Sequence, residues 1–237
     1  MNLHDVPGAF NFRDVGGLPA GAGRTRSGVL FRSGNLGHLT AAGRERVAAL
    51  GIRRVVDLRD DDERRSEPSR LDGLGIDTVH LPMYAGSVAS FFDDDLSLAD
   101  VYRALIDGSA ARLVEAARAV LDVQPVLVHC TVGKDRTGLS VALVLAAAGV
   151  DEDAVIADYA RTEQLLPLGR NESVLRFLRH RYPDARHLED LVTRSPAAEL
   201  RAVFEDLRLR YGGPVDYLQA HGLTEAEIGG LRRALVE

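Results

Sequence analysis

The sequence predicts an α/β fold: a mostly parallel central sheet flanked by helices, with a helix-rich C-terminal half. Three observations predict it. Strand-like runs concentrate in the first 130 residues, and helical spacing dominates after them. The apolar run Val126-Leu-Val128 is separated by a short loop from a second apolar run, Leu139 to Ala148, as a buried strand and its following helix would be. Hydrophobic residues make up 46% of the 237, enough for a sizeable core, and no Pro-, Gly- or Ser-rich stretch is long enough to be a linker. One domain over residues 1–237 is therefore expected.

Residues 10–15 and 28–32 read as short paired strands joined by the Gly/Ala-rich turn around 19–23. Thr40 is placed to cap a helix that stops at Gly51. Residues 53–58 and 77–81 read as buried strands, and 110–121 has helical spacing. Residues 126–129 form the central strand, and 137–148 a largely buried helix with Gly149 as its stop. Helices follow at 151–165, 170–182, 197–211 and 224–236; the last opens with a capping box, Thr224 and Glu227.

Composition excludes several function classes. A net charge of −6, no Trp and 5% aromatics argue against nucleic-acid binding. The apolar run 139–150 is too short to span a bilayer, so stable membrane insertion is not expected. The first residues lack a basic segment followed by an apolar one; the expected location is cytoplasmic, or exported without a secretory signal peptide. The histidines at 80, 180, 187 and 221 have no metal-ligand spacing, and no metal or cofactor is expected.

The chemistry concentrates in residues 129–138, His-Cys-Thr-Val-Gly-Lys-Asp-Arg-Thr-Gly. Cys130 is the single cysteine of the chain, and Arg136 follows six positions later. A tight turn entering a helix points backbone N–H groups inward and cradles a tetrahedral anion, and the helix adds its positive dipole end. Residues Cys130, Thr131, Val132, Gly133, Lys134, Asp135 and Arg136 are the expected phosphate cradle. Gly133 allows close backbone approach. Arg136 can grip two phosphate oxygens with its planar fork. These positive surroundings favour a thiolate at Cys130, an activated nucleophile beside a bound phosphoryl group. Thr137 is placed to donate a hydroxyl hydrogen bond to the sulfur as it leaves. A lone Cys on an apolar strand is more often a buried small hydrophobe, but here strand, Gly, Arg, Thr-Gly and helix fall in the required order.

His-Cys-x5-Arg resembles the signature of the cysteine-dependent protein tyrosine and dual-specificity phosphatases. The fuller form is similar to a microbial branch of that family with secreted mycobacterial members. Asn11-Phe-Arg-Asp-Val-Gly-Gly17, Phe31-Arg-Ser-Gly34, Val55-Val-Asp-Leu-Arg59, Asp158-Tyr159 with Thr162, and Gly212-Gly-Pro-Val-Asp-Tyr-Leu218 followed by Gly222-Leu-Thr224 also match its motifs. Val132 stands where a smaller residue is expected, and residues 82–110 align with no motif. The resemblance implies a cysteine-dependent phosphatase-like fold and hydrolysis of phosphotyrosine, with phosphoserine, phosphothreonine and phosphoinositides as further candidates, through a cysteinyl-phosphate. The implied partner is a phosphorylated protein or a phosphoinositide.

The leaving oxygen needs a proton donor. The resemblance favours Asp135; Asp57, at a strand end facing the cleft, is the runner-up, with pairing to Arg59 or Arg13 as its structural alternative. Asp93, Asp94 and Asp95 read as a solvated charge run. Lys134 is expected at the pocket mouth, where the resemblance links it to phosphoinositide substrates; a lysine holding the loop is the other reading. His129 is expected to orient Cys130, and Arg13, Asp14 and Arg32 to form ion pairs beneath the site. Covering elements are sought at 91–102 and 165–182. Two other classes stay open: a phospho-binding module without turnover, and a thiol-dependent sulfurtransferase or oxyanion enzyme.

Overall fold

The computed structural model describes residues 5–83 and 93–237. Its five-stranded sheet runs in the order β1 (Arg13–Asp14), β4 (Leu30–Ser33), β7 (Val126–His129), β5 (Arg54–Asp57), β6 (Asp77–His80). Every pairing is parallel except β1 with β4, which gives the mostly parallel sheet the sequence predicts. The turn at 19–23 holds a small hairpin of its own, β2 (Pro19–Ala20) with β3 (Gly23–Arg24).

The strand β7 is central and buried along its whole length, as its unbroken apolar sequence requires. Alternate side chains leave a strand on opposite faces, and the two faces have different cores. Val126 and Val128, with Leu30 and Val56, join the larger core beneath the helices Leu98–Gly108, Ala110–Asp122 and Asp135–Ala147 and the C-terminal helices. Leu127, with Phe31 and Val55, joins a smaller core closed by Val47 of the helix Ala41–Ala49 and by Phe12, Leu36 and Leu39. Helices Leu168–Arg181 and Leu188–Thr193 share a third small core of Leu178, Leu188 and Val192.

The capping expectations hold: Thr40 accepts from Gly43 N–H, and Thr224 and Glu227 close a capping box. Short helices at Asp61–Ser66, Leu188–Thr193 and Pro214–Ala220 were not legible in the sequence. Among the described residues no helix is long and apolar enough to cross a membrane.

Candidate active site

Parallel strands leave a crevice beyond their C-terminal ends, and there β4, β5 and β7 align Ser33, Asp57 and His129 in register. The chain leaves β7 into Cys130, turns through 131–134 and enters the helix Asp135–Ala147. Cys130 is 2% exposed, and its Sγ accepts the Gly133 N–H at 3.2 Å. Gly133 has φ +71°, and a Cβ there would lie 2.3 Å from the Ser33 carbonyl oxygen, so the turn admits no side chain. The Gly133 carbonyl accepts from Asn11 Nδ2 at 2.8 Å and Arg32 Nη2 at 3.0 Å. The Thr131 carbonyl accepts from Asn35 N at 3.0 Å. The helix start has no side-chain cap, which leaves its first N–H groups for an anion.

Arg136 does not extend freely. Its fork meets Glu63 in two parallel bonds, Nη1 to Oε2 at 2.6 Å and Nη2 to Oε1 at 2.7 Å. Thr131 Oγ1 also donates to Glu63. Glu63 is the third residue of the helix Asp61–Ser66 and closes a capping box with Asp60. Burial pushes the Glu63 carboxyl up, but the Arg136 hydrogen bonds and charge outweigh it and bring its pKa to about 2. Burial acts downward on Arg136, and Glu63 and Cys130 reverse that and hold it above its ordinary value. The sequence reading missed Glu63. The Asp60-x-x-Glu63 capping-box spacing was the available signal, hidden in an acidic run.

Beneath the loop lies the expected ion-pair layer. Asp158 takes Arg13 Nε at 2.8 Å on one oxygen and Arg32 Nη1 at 2.7 Å on the other. Arg13 Nη2 also donates to the Asp158 carbonyl and to Thr162 Oγ1. Burial raises the Asp158 pKa, and the two arginines more than cancel it, for a net lowering. Burial and the charge of Arg32 lower Arg13 to about 10, against the pull of Asp158. Asp14 stands apart from this layer, and its carboxylate accepts the Gly16 and Gly28 N–H groups and braces a turn.

The acid candidates differ in exposure, although each has a cation beside it. Asp57 is 2% exposed and chelated by Arg59, Nε at 2.9 Å and Nη2 at 2.7 Å. Burial raises its pKa, while the Arg59 bonds and the nearby His129 and Arg59 bring it below the ordinary value. This is the structural pairing, with Arg59 rather than Arg13 as partner, and it leaves Asp57 a poor proton donor. Asp95 is tied to Arg186 at 2.6 Å. Asp135 stands in the first turn after the loop with its side chain 26% exposed. His129 is fully buried; its Nδ1 donates to the Cys130 carbonyl at 3.3 Å, and burial lowers its pKa to about 4 despite Asp57 nearby. It is neutral near pH 7 and braces the Cys130 backbone.

Two expectations are corrected. Lys134 is not at the pocket mouth: its side chain is 1% exposed, and Nζ donates to the Arg194 carbonyl at 2.9 Å and lies 2.8 Å from Asp135 Oδ1. The loop backbone turns this side chain inward, onto the end of the helix Leu188–Thr193. Thr137 Oγ1 makes no bond to the sulfur and has no hydrogen-bond partner among the described residues. The helix begins at Asp135, two residues earlier than expected, so Thr137 is already inside it. Of the covering elements sought, Phe91 and Phe92 lie outside the described residues, whereas Leu98 and Tyr102 are core residues of a helix.

Comparison with known proteins finds relatives of one family. The model of the tyrosine phosphatase family matches residues 4–237. Triple specificity protein phosphatase PtpB of Mycobacterium tuberculosis is 31% identical over 282 residues, covering 100% of this chain and 100% of that protein. A tyrosine-protein phosphatase of Nostoc commune is 31% identical over 216 residues, covering 86% of this chain and 73% of that one. Among solved structures, P. aeruginosa TpbA is 22% identical with a TM-score of 0.40, over 58% of this chain and 71% of that one.

Proposed function

Because this chain belongs to the tyrosine phosphatase family, as one of its microbial cysteine-based phosphatases, we propose that it hydrolyses phosphotyrosine through a cysteinyl-phosphate on Cys130. Phosphoserine, phosphothreonine and phosphoinositides are further substrates in this reading; the M. tuberculosis relative is named a triple specificity protein phosphatase. Residues 1–237 act as one catalytic domain.

The Cys130 sulfur attacks phosphorus in line, an S–P bond forms and the P–O bond to the leaving group breaks. Loop N–H groups from Thr131 to Arg136 and the Arg136 guanidinium hold the equatorial oxygens. Asp135 gives its proton to the leaving oxygen, then takes one from the water that hydrolyses the S–P bond. Glu63 keeps Arg136 in place from the side away from its Nε. The Lys134 side chain supports the loop from behind, and only its backbone N–H faces the substrate.

The observation that carries this reading is the Gly133 N–H on the Cys130 sulfur at 3.2 Å, within the turn that leads into the helix Asp135–Ala147. The test is turnover of p-nitrophenyl phosphate by the wild type and by Cys130→Ser. Loss of turnover with vanadate binding retained is expected; turnover that persists would remove Cys130 as nucleophile and reopen the binding-module and sulfurtransferase readings. Relative rates on phosphotyrosine peptides, phosphoserine peptides and phosphoinositides then fix the substrate range.

A further inference from the structure

Asp135 ends a chain of hydrogen bonds that the steps above do not use. Tyr102, in the helix Leu98–Gly108, is 1% exposed, and its hydroxyl donates to Asp135 Oδ1 at 3.0 Å. The same hydroxyl lies 2.5 Å from that of Tyr159. A phenol has one proton. Tyr102 gives it to Asp135, so Tyr159 is the donor between the two tyrosines, and the polarity runs one way toward the carboxyl. Burial pushes the Tyr102 hydroxyl well above its ordinary pKa, and Asp135 adds to this when its carboxyl is ionised, so the hydroxyl remains a donor whether or not Asp135 carries a proton. Lys134 Nζ lies 2.8 Å from the same Oδ1. A hydroxyl donor and an ammonium charge meet at one carboxyl oxygen, and among the described residues Oδ2 takes no hydrogen bond.

We propose that Tyr102 is a positioning residue for the proton donor: by holding Oδ1 it fixes the plane of the Asp135 carboxyl and leaves Oδ2 to carry the proton. This rests on the reading of Asp135 as the acid. In the first step the thiolate pair forms the S–P bond, the P–O pair leaves with the alkoxide or phenoxide oxygen, and the proton on Oδ2 moves to it. Asp135 is left as a carboxylate whose Oδ1 already faces the Tyr102 hydroxyl and the Lys134 ammonium.

A proton donor matters most for a leaving group that is unstable as an anion. The test therefore compares phenyl phosphate with p-nitrophenyl phosphate, whose leaving group departs readily without a proton. Asp135→Asn should lose about 100-fold in kcat/KM on phenyl phosphate, at the low end of what a positioned acid contributes, and far less on p-nitrophenyl phosphate. Tyr102→Phe keeps the ring in the core and removes only the hydroxyl. It should lose about tenfold on phenyl phosphate and less than about twofold on p-nitrophenyl phosphate. The double variant should be no slower on phenyl phosphate than Asp135→Asn alone.

An equal loss on both substrates would mean a structural role only and would overturn the proposal, as would no loss or a double variant in which the two losses multiply. If Asp135→Asn itself shows no leaving-group dependence, Asp135 is not the acid and the role of Tyr102 falls with it; that failure is read from a different variant. Should Tyr102→Phe not fold, Tyr159→Phe removes the donor to the Tyr102 oxygen and should show the same selectivity to a smaller degree; its absence there would equally overturn the proposal.

Discussion

Glu63→Gln removes the charge around which Arg136 is held. The folded carboxyl has a pKa of about 2 against an ordinary value of 4.5. Each pH unit of that difference is worth about 1.4 kcal/mol, so ionised Glu63 contributes about 3 kcal/mol to stability near neutral pH. Both partners are less than one-fifth exposed, 17% and 18%, so water screens the pair only weakly. The folded value is the lower one. The contribution is therefore complete above about pH 4.5 and fades as the pH falls toward about 2. Urea unfolding of the wild type and Glu63→Gln at pH 7, 5, 4 and 3 measures it. The gap should be about 3 kcal/mol at pH 7, nearly as large at pH 5, and about 1.4 kcal/mol at pH 3. The retained amide hydrogen bonds make these values upper bounds. A gap that is absent at pH 7, or that does not change with pH, would refute the assignment of that stability to the Glu63–Arg136 pair.

Gly133→Ala should cost at least about 2 kcal/mol, from the left-handed backbone and the clash with Ser33, and should remove turnover; a thermal midpoint within about 1 °C of wild type would contradict the geometry. Asp57→Asn should destabilise by about 3 kcal/mol, because Arg59 is left buried without its partner, while the ratio of phenyl phosphate to p-nitrophenyl phosphate turnover stays unchanged. A selective loss on phenyl phosphate would instead make Asp57 the acid. Lys134→Gln should loosen residues 188–194, seen as about tenfold faster limited proteolysis there. Its ratio of phosphoinositide to phosphotyrosine turnover should not move, and a selective fall on phosphoinositides would restore a substrate role for Lys134.

The centre of the sheet was legible because β7 is buried on both faces, and the sequence reading of 126–129 coincides with it; β6, expected to be buried, is an edge strand exposed at Asp77 and Thr78. The loop was legible because one thiol, one glycine and one arginine lie at fixed spacing on a short segment. The ion-pair layer was partly legible, since Arg13, Arg32 and Asp158 lie in matched motifs, although nothing in one sequence says that both arginines share one carboxylate. Glu63 was not legible. Its partner is 73 residues away, and locally it reads as one more charge in Asp60-Asp61-Asp62-Glu63. Lys134 misled for a related reason: neighbours in a loop share a sequence position but not a direction, and Lys134 and Arg136 point to different parts of the fold. Thr137 depended on where the helix begins, and helix ends are the part of an element that sequence defines least.

The two donors that clasp the Gly133 oxygen have a further effect. A peptide unit is planar and trans, so a carbonyl drawn to one side by Asn11 and Arg32 sends the next amide hydrogen, that of Lys134, to the other. Groups from the start of the chain thus decide which way a dipole faces more than a hundred residues later. In the proposed reaction an arriving phosphoryl dianion meets a ring whose poles are already sorted and need not turn a peptide to be received. That orientation is built into the fold by Asn11, just ahead of β1, and by Arg32 of β4.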